Sequence, residues 1–236
     1  MKDYEKTNIL RQFSYLEDLT DDEYNKIKPF LMYKKINKNE HLFHCGEKME
    51  AIYFLISGKI KTYKTNVNGK EFLVQLYSGK DVLPHIGYYF HVDKYPISAL
   101  VLKDVELFYI PLNNFYQVLS SSNTFCIFFL KVMGAETIDL QHRLEDKILS
   151  STMEQVVHML IRLSEKYGIQ LVNQNAILLN EPLHNTDLAN MVGMTRETIS
   201  RMMNQLYEEK IIRKDREGRL LINMKKLKAF NEYNHT

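Results

Sequence analysis

The sequence predicts an α+β chain in three parts: an N-terminal antiparallel β-barrel or jelly roll, a long helix, and a C-terminal winged helix-turn-helix. Three observations predict it. Between about Tyr33 and Pro111, short runs rich in Ile, Val, Tyr and Phe recur between Gly46, Gly58, Asn68-Gly69 and Gly79, the pattern of many short antiparallel strands. From about Asn123 to Leu149, apolar residues fall at alternating steps of three and four, which is a helical period. Beyond residue 184, two short helical patterns flank Gly193 and two extended runs follow. The expected divisions are a barrel over 1–110, a linker and long helix over 111–150, and the winged unit over 151–236, with a boundary at 148–151.

Bulk properties set the class. The 236 residues have room for two modest domains or one large one. Hydrophobic content of 45% and charged content of 25% are those of a globular protein, not of a disordered or membrane-embedded one. The longest apolar patch, FCIFFLKVMG (125–134), is broken by Lys131, and the opening MKDYEKTNIL carries acids where a secretory signal needs an apolar core. Two cysteines, Cys45 and Cys126, lack metal-ligand spacing and fit a reducing cytoplasm. The net charge of +2 is small, but between Arg201 and Phe230 nine Lys/Arg face four acids. Such a local basic patch suits phosphates.

Each element has its own reason. LTDDEYNKIKPFL reads as a helix with Thr20 as N-cap and Glu23 at the capping-box position. Asn68-Gly69 between two alternating runs predicts a hairpin. In the long helix, Phe125, Phe128 and Phe129 are expected to dock on the barrel. Leu130, Met133, Thr137, Leu140 and Leu144 form a heptad seam whose best partner is a second copy of the chain. Ser151 with Glu154 opens a further helix that Gly168 ends, and residues 169–183 are weakly extended. Thr186 is the expected N-cap of TDLANMV, Gly193 makes the turn, and Thr195 caps RETISRMMNQLYEEK. Leu188, Ala189, Val192, Ile199, Met203 and Leu206 would knit the two helices together. IIRKDREGRLLIN then reads as two strands about the turn 215–218, a basic wing.

The polar face of the second short helix carries the functional chemistry. Arg196 and Glu197 lie in its first turn, with Ser200 and Arg201 one turn on. Arginine can donate twice to guanine O6 and N7, and glutamate can accept from cytosine N4. A recognition helix reaches base edges with its N-terminal residues. Arg196, Glu197, Ser200 and Arg201 are therefore the candidate base readers. Thr186, Thr195, Thr198, Asn204, Arg213, Lys214, Arg216 and Arg219 suit phosphate oxygens, which position a protein without specifying sequence. The expected partners are double-stranded DNA and a second copy of the chain.

LANMVGMTRETISRMMNQLYEEKII resembles the DNA-binding helices of the catabolite activator/FNR (Crp/Fnr) superfamily of bacterial transcription regulators. GEKMEAIYFLISGKIKTYKTNVNGKEFLVQLYSGKDVL is similar to that family's cyclic-nucleotide-binding-type domain. The resemblance covers nearly the whole chain. It implies a non-enzymatic homodimer on a two-fold operator with TGTGA-like half-sites, a barrel that senses an effector, and RNA polymerase as a partner. The departures are specific. Where cAMP-binding members have a Gly-Glu-Leu stretch and an Arg-Ser pair, this chain has Pro84-His85-Ile86 and Tyr95-Pro96, and it has no arginine between Arg11 and Arg143. A buried cyclic phosphate needs a paired cation, so cAMP in its usual mode is not expected, although a cAMP-gated regulator is the alternative within the family. Leu140-Gln141 stands where a Thr-Ser pair would meet adenine. His85, Tyr95 and Gln141 are the candidate effector-pocket residues.

Two cysteines cannot build the iron–sulfur centre of the oxygen-sensing members. No metal or cofactor is assigned: His44, His85 and His91 are read as structural rather than heme-ligating, and Cys45 as inert. The rival from another class is a cupin-like metal-dependent barrel enzyme, for which His41-x-x-His44 is the nearest approach to a ligand set, with His85 and His91 distant and no Glu in a matching pattern.

Overall fold

A computed structural model describes residues 10–67, 69, 71–84, 93–171, 176–179 and 183–233. The chain divides into two compact units, Met1–Asp139 and Leu140–Thr236. Residues 148–151, where the boundary was expected, span the break between two helices.

In the first unit, α1 (Asp21–Ile27) opens as expected: the Thr20 hydroxyl accepts from the Glu23 N–H, and the Glu23 carboxylate accepts from the Thr20 N–H. Six strands follow: β1 (Met32–Ile36), β2 (His41–Phe43), β3 (Ala51–Thr65), β4 (Glu71–Ser78), β5 (Val82–Leu83) and β6 (Ser98–Pro111). They form one antiparallel sheet in the order β1-β6-β3-β4, with β2 also on β6 and β5 also on β3. The β3–β4 hairpin has Thr65 opposite Glu71, a five-residue connection. Of the predicted turn pair, Gly69 has φ +75°, and Asn68 lies outside the described residues.

The run AIYFL (51–55) is buried at every position because it separates two cores. With side chains alternating across a strand, Ile52 and Phe54 join Phe108 and Ile110 in the core shared with the helices. Ala51, Tyr53 and Leu55 join Leu42, Phe43, Tyr77, Leu83 and Leu107 in an interior to which all six strands contribute. Gly58 interrupts β3 at φ +93°, and a Cβ there would lie 2.2 Å from the Asp104 carbonyl oxygen. Only glycine fits this irregularity in the β3–β6 register.

After β6 come α2 (Leu112–Ser121) and the long α3 (Asn123–Leu149), the latter with the predicted bounds. Phe125, Phe128 and Phe129 are buried against Phe54 and Phe115. Glu23 also secures the start of α3: its carboxylate accepts from Ser122 Oγ at 2.7 Å, Thr124 N at 3.1 Å and Thr124 Oγ1 at 3.0 Å. Farther along α3, Leu130, Leu140 and Leu144 are exposed, as are Ile127, Ile138 and Ile148. Met133, also of the expected seam, is half-buried against the first core.

In the second unit, α4 (Thr152–Tyr167) carries the predicted Ser151–Glu154 capping box. The weakly extended stretch contains two strands, β7 (Gly168–Leu171) and β8 (Ala176–Leu179). Next come α5 (Asn185–Val192), α6 (Arg196–Glu208), β9 (Ile212–Lys214), β10 (Leu220–Ile222) and α7 (Met224–Tyr233). The wing strands extend a four-stranded sheet, β7-β8-β10-β9. Helix α5 begins earlier than expected. Its N-cap is His184, whose N–H donates to Asp187 at 3.2 Å, and Thr186 lies inside the first turn.

Candidate nucleic-acid interface

Helices α5 and α6 meet through an apolar seam. Leu188, Ala189, Ile199, Met203 and Leu206 are buried together with Val156, Val157 and Leu160 of α4, and Val192 packs against them half-buried. Gly193 turns the chain in the left-handed region, φ +68°, where a side chain would strain the backbone. Thr195 then caps α6, its hydroxyl accepting from the Thr198 N–H at 3.2 Å.

Burial of the 199/203/206 stripe leaves the opposite face of α6 outward. Arg196, Glu197, Arg201 and Asn204 are exposed, and Ser200 is half-exposed. Arg196 with Ser200 and Glu197 with Arg201 are four apart and lie one above the other, so the four candidate base readers occupy one broad outward side at the amino end of the helix. The Glu197 carboxyl is held below the usual range by its own backbone N–H, then by the Thr195 side chain and Arg196. It stays ionised and accepts hydrogen bonds, as pairing with an amine requires.

The wing separates the candidate phosphate ligands. Arg213, Lys214 and Arg216 are exposed, as are Thr186 and Thr195; Thr198 is half-buried. Arg219 is not available in the same way. Its Nε donates to Asp215 Oδ2 at 2.7 Å, and Nη1 meets Glu217 at 3.2 Å. The Asp215 carboxylate also accepts from the N–H groups of Glu217 and Arg219, closing the turn. Burial alone would raise the Asp215 carboxyl, but these bonds outweigh it and hold it low. Sequence reading missed a groove of about 610 Å³ beside β9, where Tyr207, Lys210, Arg213 and Lys214 stand over Ile212 and Leu221. Lys210 belongs to the basic stretch already counted, but its place in a groove depends on strand pairing.

The barrel residues fare differently. Tyr95 is buried, its ring stacked on Phe43 at 3.8 Å and its hydroxyl accepting from the Glu50 N–H. It belongs to the barrel core. Gln141 is exposed on α3 and donates to Glu145. His85 and His91 lie outside the described residues. His41 stacks on His44 at 4.1 Å and pairs with the Tyr63 hydroxyl at 2.9 Å; burial pushes its imidazole pKa down. Among the described residues no three His, Cys, Asp or Glu side chains gather as a metal site requires, and no single helix is long and apolar enough to cross a membrane. The cupin-like reading thus finds no support in the described residues.

Comparison with known proteins agrees with this layout. Residues 33–122 match the cyclic nucleotide-binding domain model, and residues 154–230 match the Crp-like helix-turn-helix domain model. The anaerobic regulatory protein of Bacillus subtilis is 27% identical over 205 residues, covering 87% of this chain and 85% of that one. A global nitrogen regulator of a Nostoc species is 23% identical over 177 residues, 74% of this chain and 78% of that protein. Among solved structures, a CooA mutant from Carboxydothermus hydrogenoformans has a TM-score of 0.75 at 20% identity, covering 94% of this chain and 97% of that one. FixK2 from Bradyrhizobium japonicum has a TM-score of 0.69 at 16% identity, covering 84% and 96%. With both domains present in that order, the chain belongs to the Crp/Fnr superfamily of DNA-binding transcription regulators.

Proposed function

We propose that the chain acts in the cytoplasm as a homodimer that reads a two-fold operator through paired α6 helices and works with RNA polymerase. The observation that carries this is the outward set of exposed Arg196, Glu197 and Arg201 with half-exposed Ser200 at the amino end of α6, opposite a face buried on α5. Base specificity comes from these four, in half-sites resembling TGTGA. Arg213, Lys214, Arg216, Thr186, Thr195, Thr198 and Asn204 hold the backbone, with Lys210 added from the groove. Pairing of α3 with its copy covers the exposed Leu130, Leu140 and Leu144 around Thr137, and brings in Ile148. Two recognition helices then enter successive major grooves about 34 Å apart.

Regulation in this reading does not use cAMP in the family's usual mode. With no arginine between Arg11 and Arg143, the barrel lacks the cation that a buried cyclic phosphate pairs with most strongly. Selection of bound duplexes from a random pool tests the whole reading. Enrichment of a two-fold site with half-sites about one helical turn apart supports it, and a pool without common sequence contradicts it. The same selection with and without cAMP tests the effector statement, which expects no difference.

A further inference from the structure

The last turns of the long helix are held by the DNA-binding unit at two adjacent residues. Asp146 accepts from His158 Nδ1 at 2.6 Å and pairs with the Arg162 guanidinium, so one carboxylate meets two residues of α4. The other ring nitrogen of His158 meets the Asn231 amide of α7 at 3.0 Å. Lys147, the next residue, donates through Nζ to the Val192 carbonyl at 3.0 Å and to Gln155 Oε1 at 3.5 Å. Val192 is the last residue of α5, immediately before the Gly193 turn, and that end of a helix carries unpaired carbonyls and partial negative charge. An ammonium group there both caps α5 and ties it to α3.

We infer that Lys147 and Asp146 are positioning residues for DNA reading: they carry the orientation of the long helix onto the helix-turn-helix turn. The geometry gives the reason. Helix α6 is packed on α5 through Leu188, Ala189, Ile199 and Met203, so α5 and α6 move as a pair. Lys147 grips that pair at its turn, and Asp146 grips α4 beneath it. A rotation of α3 about its axis must drag the recognition helix with it or break both attachments. The inference rests on the homodimeric reading above and names what transmits α3 geometry to operator spacing.

Lys147 is exposed, so its replacement leaves the fold intact. In the full-length protein, Lys147→Met is compared with Lys147→Arg, whose guanidinium still reaches a carbonyl, and with Asp146→Asn. The readouts are half-site spacing in duplexes selected from a random pool, affinity for the wild-type site and for unrelated duplex, and thermal midpoint. Lys147→Met is expected to keep the wild-type thermal midpoint within a few degrees and unrelated-duplex affinity within about twofold. It should lose about tenfold on the wild-type site and accept a wider range of spacings, with Lys147→Arg restoring both. Asp146→Asn should widen spacing in the same direction. Unchanged spacing and site affinity in Lys147→Met would overturn the inference while leaving the DNA reading intact. A wild-type protein that selects no two-fold site would overturn the DNA reading itself.

Discussion

Arg219 closes back on Asp215 four residues earlier, Nε to Oδ2 at 2.7 Å, and this pair shapes the wing tip. Its basic neighbours Lys214 and Arg216 point to solvent, so the wing holds two kinds of cation. Replacing Arg219 by Ala should lower the thermal midpoint by a few degrees, since about 1 kcal/mol moves a unit of this size by roughly 4–8 °C. The salt dependence of DNA binding should hardly change. Lys214→Ala should do the reverse, reducing the log–log salt slope by about one with the midpoint unmoved, because each neutralised phosphate contributes about 0.9. Thermal melts and anisotropy titrations between 50 and 200 mM salt separate the two.

Glu23 joins the starts of α1 and α3, and its ionisation is linked to stability. Burial raises its pKa, but hydrogen bonds from Ser122, Thr124 and Thr20 outweigh that and hold it at about 2, against 4.5 for a free carboxyl. A carboxyl depressed in the folded state stabilises fully above its unfolded pKa and loses that contribution as pH falls toward its folded one. Glu23→Gln should therefore cost about 2 kcal/mol at pH 7, after solvent screening is allowed for. The deficit should shrink as pH falls from about 4.5 to about 2, measured as the difference between denaturant midpoints of the two proteins.

Lys59 lies half-buried beside the Gly58 irregularity, opposite Lys103 on β6. Burial, then repulsion from Lys103, lowers its pKa to about 8 from 10.5. Between those values the unfolded chain binds the proton more tightly, so stability rises with pH, and below about 8 the penalty is complete. Lys59→Met should raise the thermal midpoint at pH 7, and the gain should fade toward pH 10.5.

Much of this architecture was readable from local chemistry. The Thr20, Ser151 and Thr195 caps, the bounds of α3, the Gly193 turn and the wing turn at 215–218 each depend on residues close in sequence. What was misread depends on choices between near-equals or on distant partners. His184, Asn185 and Thr186 are all polar, and propensity favours the latter two as caps, but Asp187 reaches back to the His184 N–H and starts the helix earlier. That Phe43 stacks on Tyr95 could not be read locally, because the two are far apart in sequence. Which wing cation is neutralised in place, and that Lys210 shares a groove with β9, are likewise set by pairing across the sheet.

The division of labour between base reading and backbone holding is the central claim, and one paired titration tests it most directly. Arg196→Ala and Arg213→Ala are each measured on the selected operator, on single-base variants of its half-site, and on unrelated duplex. Arg196→Ala should lose roughly 1–3 kcal/mol on the operator, tolerate substitution at one base position, and keep its affinity for unrelated DNA. Arg213→Ala should weaken binding to every duplex by a similar factor. Equal losses for both variants on all sequences would contradict the assignment of Arg196 to a base edge.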